Sequence, residues 1–282
     1  MPDLKPMGFG EILDGALTIF RRHFLLFVKI GVATLWLPVA LEIYIELSGG
    51  QQQHVGLAFL SNLIQYFAGL FLTASAIRVI SDSYLGQTPK LGDALSLGAS
   101  KIWSLFVVGL AKALLIGLVA IPMGIAAAIF IPVMVRGGGS GSAVLFLVLA
   151  GIADAWLMMF IACGYAVTTP VVVLEDLNSS TESFGRSWSL TSGSKLKIFG
   201  IFLVTWLIVF LPVLVIGAVG GFLTVTTPIG GQVFQVVAAA LPVVLTPLFS
   251  CVLTLLYYDL RVRREAFDLE MLSQQLTTLG AR

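Results

Sequence analysis

The sequence predicts an all-α membrane protein: about six transmembrane helices forming three repeated hairpins, each preceded by an amphipathic helix on the cytoplasmic side. Three observations predict it. First, 58% of the 282 residues are hydrophobic and 11% charged, whereas a soluble domain is about 25% charged. Mean hydropathy is +1.00. So little polar surface cannot cover a globule in water, and lipid has to solvate the apolar faces. Second, the apolar residues gather into six continuous runs. Third, the basic residues fall in alternate loops.

The runs are Phe24–Leu47, Val55–Ser81, Leu105–Met134, Ala143–Leu174, Ile198–Leu223 and Val233–Leu256. Each is long enough for the roughly 20 helical residues that cross about 30 Å of hydrocarbon. Continuous rather than alternating hydrophobicity selects helices over barrel strands. The third and fourth runs are overlong and are expected to tilt, kink or project past the bilayer. The N-terminus, MPDLKPMGFGEILDG, places acids and glycines ahead of any apolar run. With no signal-peptide pattern, the first span is expected to stay in the mature chain.

Loop charge sets the orientation. Lys5, Arg21 and Arg22 precede the first span, Arg78, Lys90 and Lys101 flank the second loop, and Arg186, Lys195 and Lys197 flank the fourth. Arg261, Arg263, Arg264 and Arg282 follow the last span, while the first and fifth loops carry no Lys or Arg and the third only Arg136. By the positive-inside rule both termini are expected in the cytoplasm of a multi-pass plasma-membrane protein.

One helical membrane domain is expected over 1–282, with internal repeats at 8–81, 90–174 and 179–258 and a cytoplasmic helix and tail at 259–282. Two markers keep step between the copies. Glu11, Asp93 and Glu182 open the three amphipathic segments, and Pro38, Pro122 and Pro212 sit in the first span of each pair. A fixed period in two independent markers is the signature of a repeat.

In the first amphipathic segment Phe9, Ile12, Leu13, Ala16, Leu17 and Phe20 recur at helical spacing, and Arg21 and Arg22 close its C-terminal end. Basic groups there suit both the helix dipole and anionic headgroups. The third segment opens with Ser179 and Glu182 at capping-box spacing. Trp103 and Trp188 are expected at headgroup level, with Arg21, Arg22, Lys29 and Arg186 as further lipid-interface residues. Lys29 lies close enough to the inner edge to snorkel. Two readings stay open for such segments: helices that bind lipid, or connectors tucked beneath the bundle.

Within the spans, charge is expensive and marks a candidate functional position. Asp154 falls about twelve residues into the fourth run and cannot reach either surface. Lys112, about two turns into the third, is its nearest plausible partner. Together they form a candidate intramembrane polar site, either ion-linked or a structural tie between helices. Pro38, Pro122, Pro132, Pro170, Pro212, Pro242 and Pro247 lie in or beside spans, where proline frees a backbone carbonyl and hinges or kinks a helix.

The chemistry of the usual enzyme classes has no counterpart. There is no Gly-rich phosphate loop, no HExxH, and only two histidines, His23 and His54, far apart in sequence; nucleotide motors, zinc sites and Ser/His/Asp triads are not expected. Cys163 and Cys251 sit in apolar runs and read as buried thiols. No cofactor is expected, and a net charge of +1 implies no nucleic-acid partner.

Two stretches, PMGFGEILDGALTIFRRHF near the start and LLYYDLRVRREAFDLEM near the end, resemble the bacterial glycerophosphoryl diester phosphodiesterase membrane domain family. ESFGRSW at 182–188 is similar to the same broad group of six-span proteins. The resemblance implies a stand-alone six-span protein of the bacterial inner membrane, without the phosphodiesterase barrel and with no catalytic residue to carry over. The expected function is therefore a non-catalytic scaffold or accessory subunit of a membrane assembly, with membrane lipids and other membrane subunits as partners. Val262, Ala266, Leu269, Leu272 and Leu276, at helical spacing, form its candidate docking face. The alternative is a small secondary transporter or lipid-handling protein that uses Asp154 and the proline-kinked helices.

Overall fold

The computed structural model describes residues 6–48, 53–135, 141–226 and 230–265. Among them the chain forms nine helices and no strand: α1 (Phe9–Arg22), α2 (Phe24–Leu47), α3 (Val55–Tyr84), α4 (Leu91–Val135), α5 (Gly141–Gly164), α6 (Thr168–Leu174), α7 (Glu182–Thr191), α8 (Lys195–Thr226) and α9 (Gly230–Glu265). Six helical stretches are long and apolar enough to cross a membrane: 24–45, 55–84, 91–132, 144–174, 195–224 and 241–265. This is a multi-pass membrane protein.

Local chemistry sets the element boundaries. Glu11 reaches back to the backbone N–H of Gly8 and closes the first turn of α1. Only His23 separates α1 from α2, and its Nε2 lies 2.9 Å from the Ser83 hydroxyl of α3. Two reversals, after α3 and after α7, pass through Gly86 and Gly193 at φ 75° and 78°, a left-handed conformation that side chains resist.

The structure differs from expectation in three places. The second amphipathic segment is no separate helix: Leu91–Val135 runs unbroken for 45 residues. Nothing between Asp93 and Leu105 breaks a helix, so the segment projects as the first turns of the span. The capping box of the third segment does not form. Thr181 caps α7 and Glu182 is its first residue, while the Ser179 hydroxyl bonds Thr181 instead. The overlong fourth run breaks into α5 and α6.

That break has an identifiable cause. Pro170 has no N–H to give to the preceding turn, and the Thr168 hydroxyl bonds the Tyr165 carbonyl at 2.8 Å. The carbonyl of Gly164 leaves the helical ladder and accepts the hydroxyls of Ser187 and Thr191, each at 3.0 Å. Residues of α7 thus satisfy backbone that lipid could not.

The packed core lies towards one end of the bundle, where α1, α7 and the close of α9 meet the ends of α3 and α6. Ile12 and Ala16 of α1, Phe27 and Ile30 of α2, Leu72 and Ile80 of α3, Ile198 and Ile201 of α8, and Leu255 through Tyr258 of α9 form one buried cluster. We refer to this as the charged end, because most ion pairs among the described residues gather there too.

Candidate functional site

Ten to fifteen ångströms below the charged end, by helical rise, α3, α4, α6, α8 and α9 leave a cavity between them. Its volume is about 490 Å³, in the range of sites that hold small ligands. Leu70, Leu105, Val108, Val209, Leu245 and Leu253 make its walls apolar. Trp206 and Phe249 line it too and are well exposed, so the cavity reaches the lipid-facing surface beside them.

Its polar groups are few. Thr205 and Ser250 donate to carbonyls of their own helices, those of Ile201 and Thr246, and Thr73 donates to Gly69. That leaves the hydroxyls of Thr169 and Thr246 without hydrogen bonds among the described residues. Among the described residues Lys112 is the one charged group in the lining. It has no ion pair or hydrogen bond among the described residues.

At the charged end the polar groups are instead fully engaged. Asp259, buried on α9, accepts from Lys197 Nζ at 2.6 Å, from Arg263 Nε at 2.9 Å and from the Met7 backbone N–H at 2.7 Å. Lys197 and Arg263 each also donate to the Met7 carbonyl at 2.7 Å. The N-terminal segment is thereby tied to α8 and α9. On the neighbouring face Arg186 forks between Glu175 (2.9 Å) and Glu265, and Tyr257 donates to Glu175 at 2.9 Å. The two carboxylates, Glu265 foremost, hold the Arg186 guanidinium more firmly protonated than usual. Tyr258 meets Ser81 at 2.7 Å and stacks on Tyr84.

These placements revise several expectations. The structure does not bring Asp154 and Lys112 together. α4 and α5 do pack as a hairpin, but Asp154 is partly exposed on α5 and absent from the cavity wall. Arg186, expected at the lipid interface, is tied up in ion pairs. Trp188 lies across Gly164, where a Cβ would collide with its ring. Its ring also receives the Lys195 ammonium at 3.7 Å, as Phe160 does at 3.2 Å. Arg21, Arg22, Lys29 and Trp103 are exposed. Of the docking face, Val262 is buried in the chain's own core, because the helical spacing turns it towards the bundle. Ala266, Leu269, Leu272 and Leu276 lie outside the described residues.

Sequence reasoning passed over Asp259, Lys197, Glu175 and the tyrosine pair. Part of the signal was present: Asp259 and Arg263, like Arg261 and Glu265, stand four apart on a helix. The partners from α6, α7, α8 and the N-terminus are 62 to 252 residues distant, beyond any local pattern. Among the described residues no three or more His, Cys, Asp or Glu side chains group as metal ligands.

Compared with protein-family models, curated proteins and solved structures, the chain matches none. The functional reading therefore rests on the geometry of the cavity and the charged end.

Proposed function

We propose that this is a non-catalytic integral membrane protein that handles lipid, holding an amphiphilic molecule in the cavity between α3, α4, α6, α8 and α9. The observation that carries the reading is the cavity itself: an apolar volume of about 490 Å³ among membrane-spanning helices, with a mouth at Trp206 and Phe249. Water does not fill an apolar site of that kind readily, whereas an acyl chain solvates it well.

The charged end supports the proposed sidedness. It gathers Arg186, Lys197, Arg261 and Arg263, four of the basic residues on which the positive-inside expectation of two cytoplasmic termini rests. Repetition is supported by the order of elements: α1 precedes one hairpin, α7 precedes another, and Pro38, Pro122 and Pro212 lie inside α2, α4 and α8. The lipid-handling alternative is preferred to the scaffold because Val262 serves the chain's own core.

The test is to fill the cavity. Thr246→Trp and Val209→Trp place an indole in it without touching the charged end. Native mass spectrometry is expected to count fewer tightly held lipids per chain in both variants than in wild type. Equal counts, in variants with wild-type thermal stability, overturn the reading.

A further inference from the structure

The cavity has a chemical asymmetry that narrows what it takes. Lys112 stands on its wall about two turns of α4 beyond Leu105, the first apolar residue of the long run. Among the described residues no carboxylate lines the cavity. Lys112 pairs with no described residue, and Asp154, the nearest acid the sequence offered, is not on that wall. An ammonium held among apolar side chains is costly unless a counter-charge arrives.

In the same lining, Thr169 and Thr246 make no hydroxyl hydrogen bond to the described residues, while Thr205 and Ser250 have committed theirs. The site thus presents one cation and two unspent donors on an otherwise apolar surface. That donor set matches an oxyanion. Thr73, Lys112, Thr169 and Ser250 line this one cavity together. The lateral mouth at Trp206 and Phe249 leaves room for a chain to continue outward.

We infer that the cavity binds an anionic amphiphile, its carboxylate or phosphate oxyanion on Lys112 with the hydroxyls of Thr169 and Thr246, its acyl chain leaving past Trp206 and Phe249. The inference rests on the lipid-handling reading and adds the charge of the ligand.

The test uses the full chain in neutral phosphatidylcholine nanodiscs and three forms: wild type, Lys112→Met and Lys112→Arg. The probes are palmitate and phosphatidic acid, their uncharged counterparts hexadecanol and diacylglycerol, and inorganic phosphate alone. Wild type is expected to prefer each anionic probe over its neutral partner by about tenfold or more, as a charge-assisted hydrogen bond implies. Lys112→Met is expected to abolish that preference and keep the neutral binding, and Lys112→Arg to retain it. Inorganic phosphate is expected not to compete.

An undiminished preference in Lys112→Met overturns the assignment. Full competition by inorganic phosphate overturns the amphiphile half of it. Equal binding of charged and neutral probes by wild type removes the oxyanion and leaves the lipid cavity intact. Loss of the lipid reading itself registers separately, as unchanged binding of every probe in Thr246→Trp.

Discussion

The close of α9 and the α4–α5 hairpin are both apolar helix by sequence, yet they live in opposite surroundings. In the most hydrophobic stretch of the last span 56% of residues are buried, and in those of the third and fourth spans none is. Leu255, Leu256, Tyr257 and Leu260 of α9 are enclosed, while Leu118, Ile129, Leu149 and Ile152 of the hairpin stand out from the bundle. Burial does not follow hydropathy: the buried last span is the less apolar, at a mean hydropathy of 1.8 against 2.6 and 2.4 for the exposed third and fourth. In lipid apolarity gives no inward drive, because acyl tails are as apolar as leucine and give no reason for helices to associate. What draws α9 inward is its polar residues: Asp259, Tyr257 and Tyr258 each hold a different neighbouring element.

The largest expected effect breaks that polar anchor. Asp259→Ala leaves Lys197 and Arg263 facing one another around the Met7 carbonyl without a counter-charge. Removal of one partner of a buried ion pair costs about 3–5 kcal/mol. The variant is expected to show the steepest fall in thermal stability in detergent and to release the N-terminal segment to limited proteolysis. Wild-type stability would mean that packing alone holds this end.

Next comes a matched pair of truncations. Leu256→Ala, in the core, is expected to cost about 3 kcal/mol. Leu149→Ala, on the exposed face of α5, is expected to change stability by less than about 0.5 kcal/mol. Unfolding transitions of the two variants side by side measure the contrast directly, and equal losses would erase it.

A smaller effect is expected at the α5–α6 break. Ser187→Ala with Thr191→Val strips the Gly164 carbonyl of both hydroxyl donors, at about 1–2 kcal/mol for an acceptor left unmet. Either single variant should lose less, since the other hydroxyl remains.

The smallest concerns pH. Burial, with Arg22 beside it, holds His23 below the usual imidazole value of 6.5. The folded chain then binds fewer protons there than the unfolded chain. The contribution is complete above that value and is lost as pH falls below it. Wild type should lose slightly more stability than His23→Gln between pH 7 and pH 5.5. The opposite order would place His23 beside an acid in the folded chain.

Much of the architecture was legible because it is written in runs. The start of α2 and its end at Leu47, the start of α3 at Val55 and the inclusion of Pro38, Pro122 and Pro212 in helices follow from local composition. The break after Gly164 was readable only as excess length, since its satisfaction comes from Ser187 and Thr191. Of the candidate site, Lys112 was singled out as a charge in a span, but its partner was sought in Asp154 rather than in a cavity. Its hydroxyl companions Thr169 and Thr246 carry no pattern of their own.

The sequence by itself determined that this chain spans a membrane about six times as helix. Backbone cannot go unbonded in hydrocarbon, and each apolar run is long enough to bond its own. Tertiary structure alone decided which apolar faces turn inward, where a cavity remains and which charges meet. In lipid those choices rest on side-chain fit and polar contacts between residues distant in the chain, and one-dimensional hydrophobicity is blind to both.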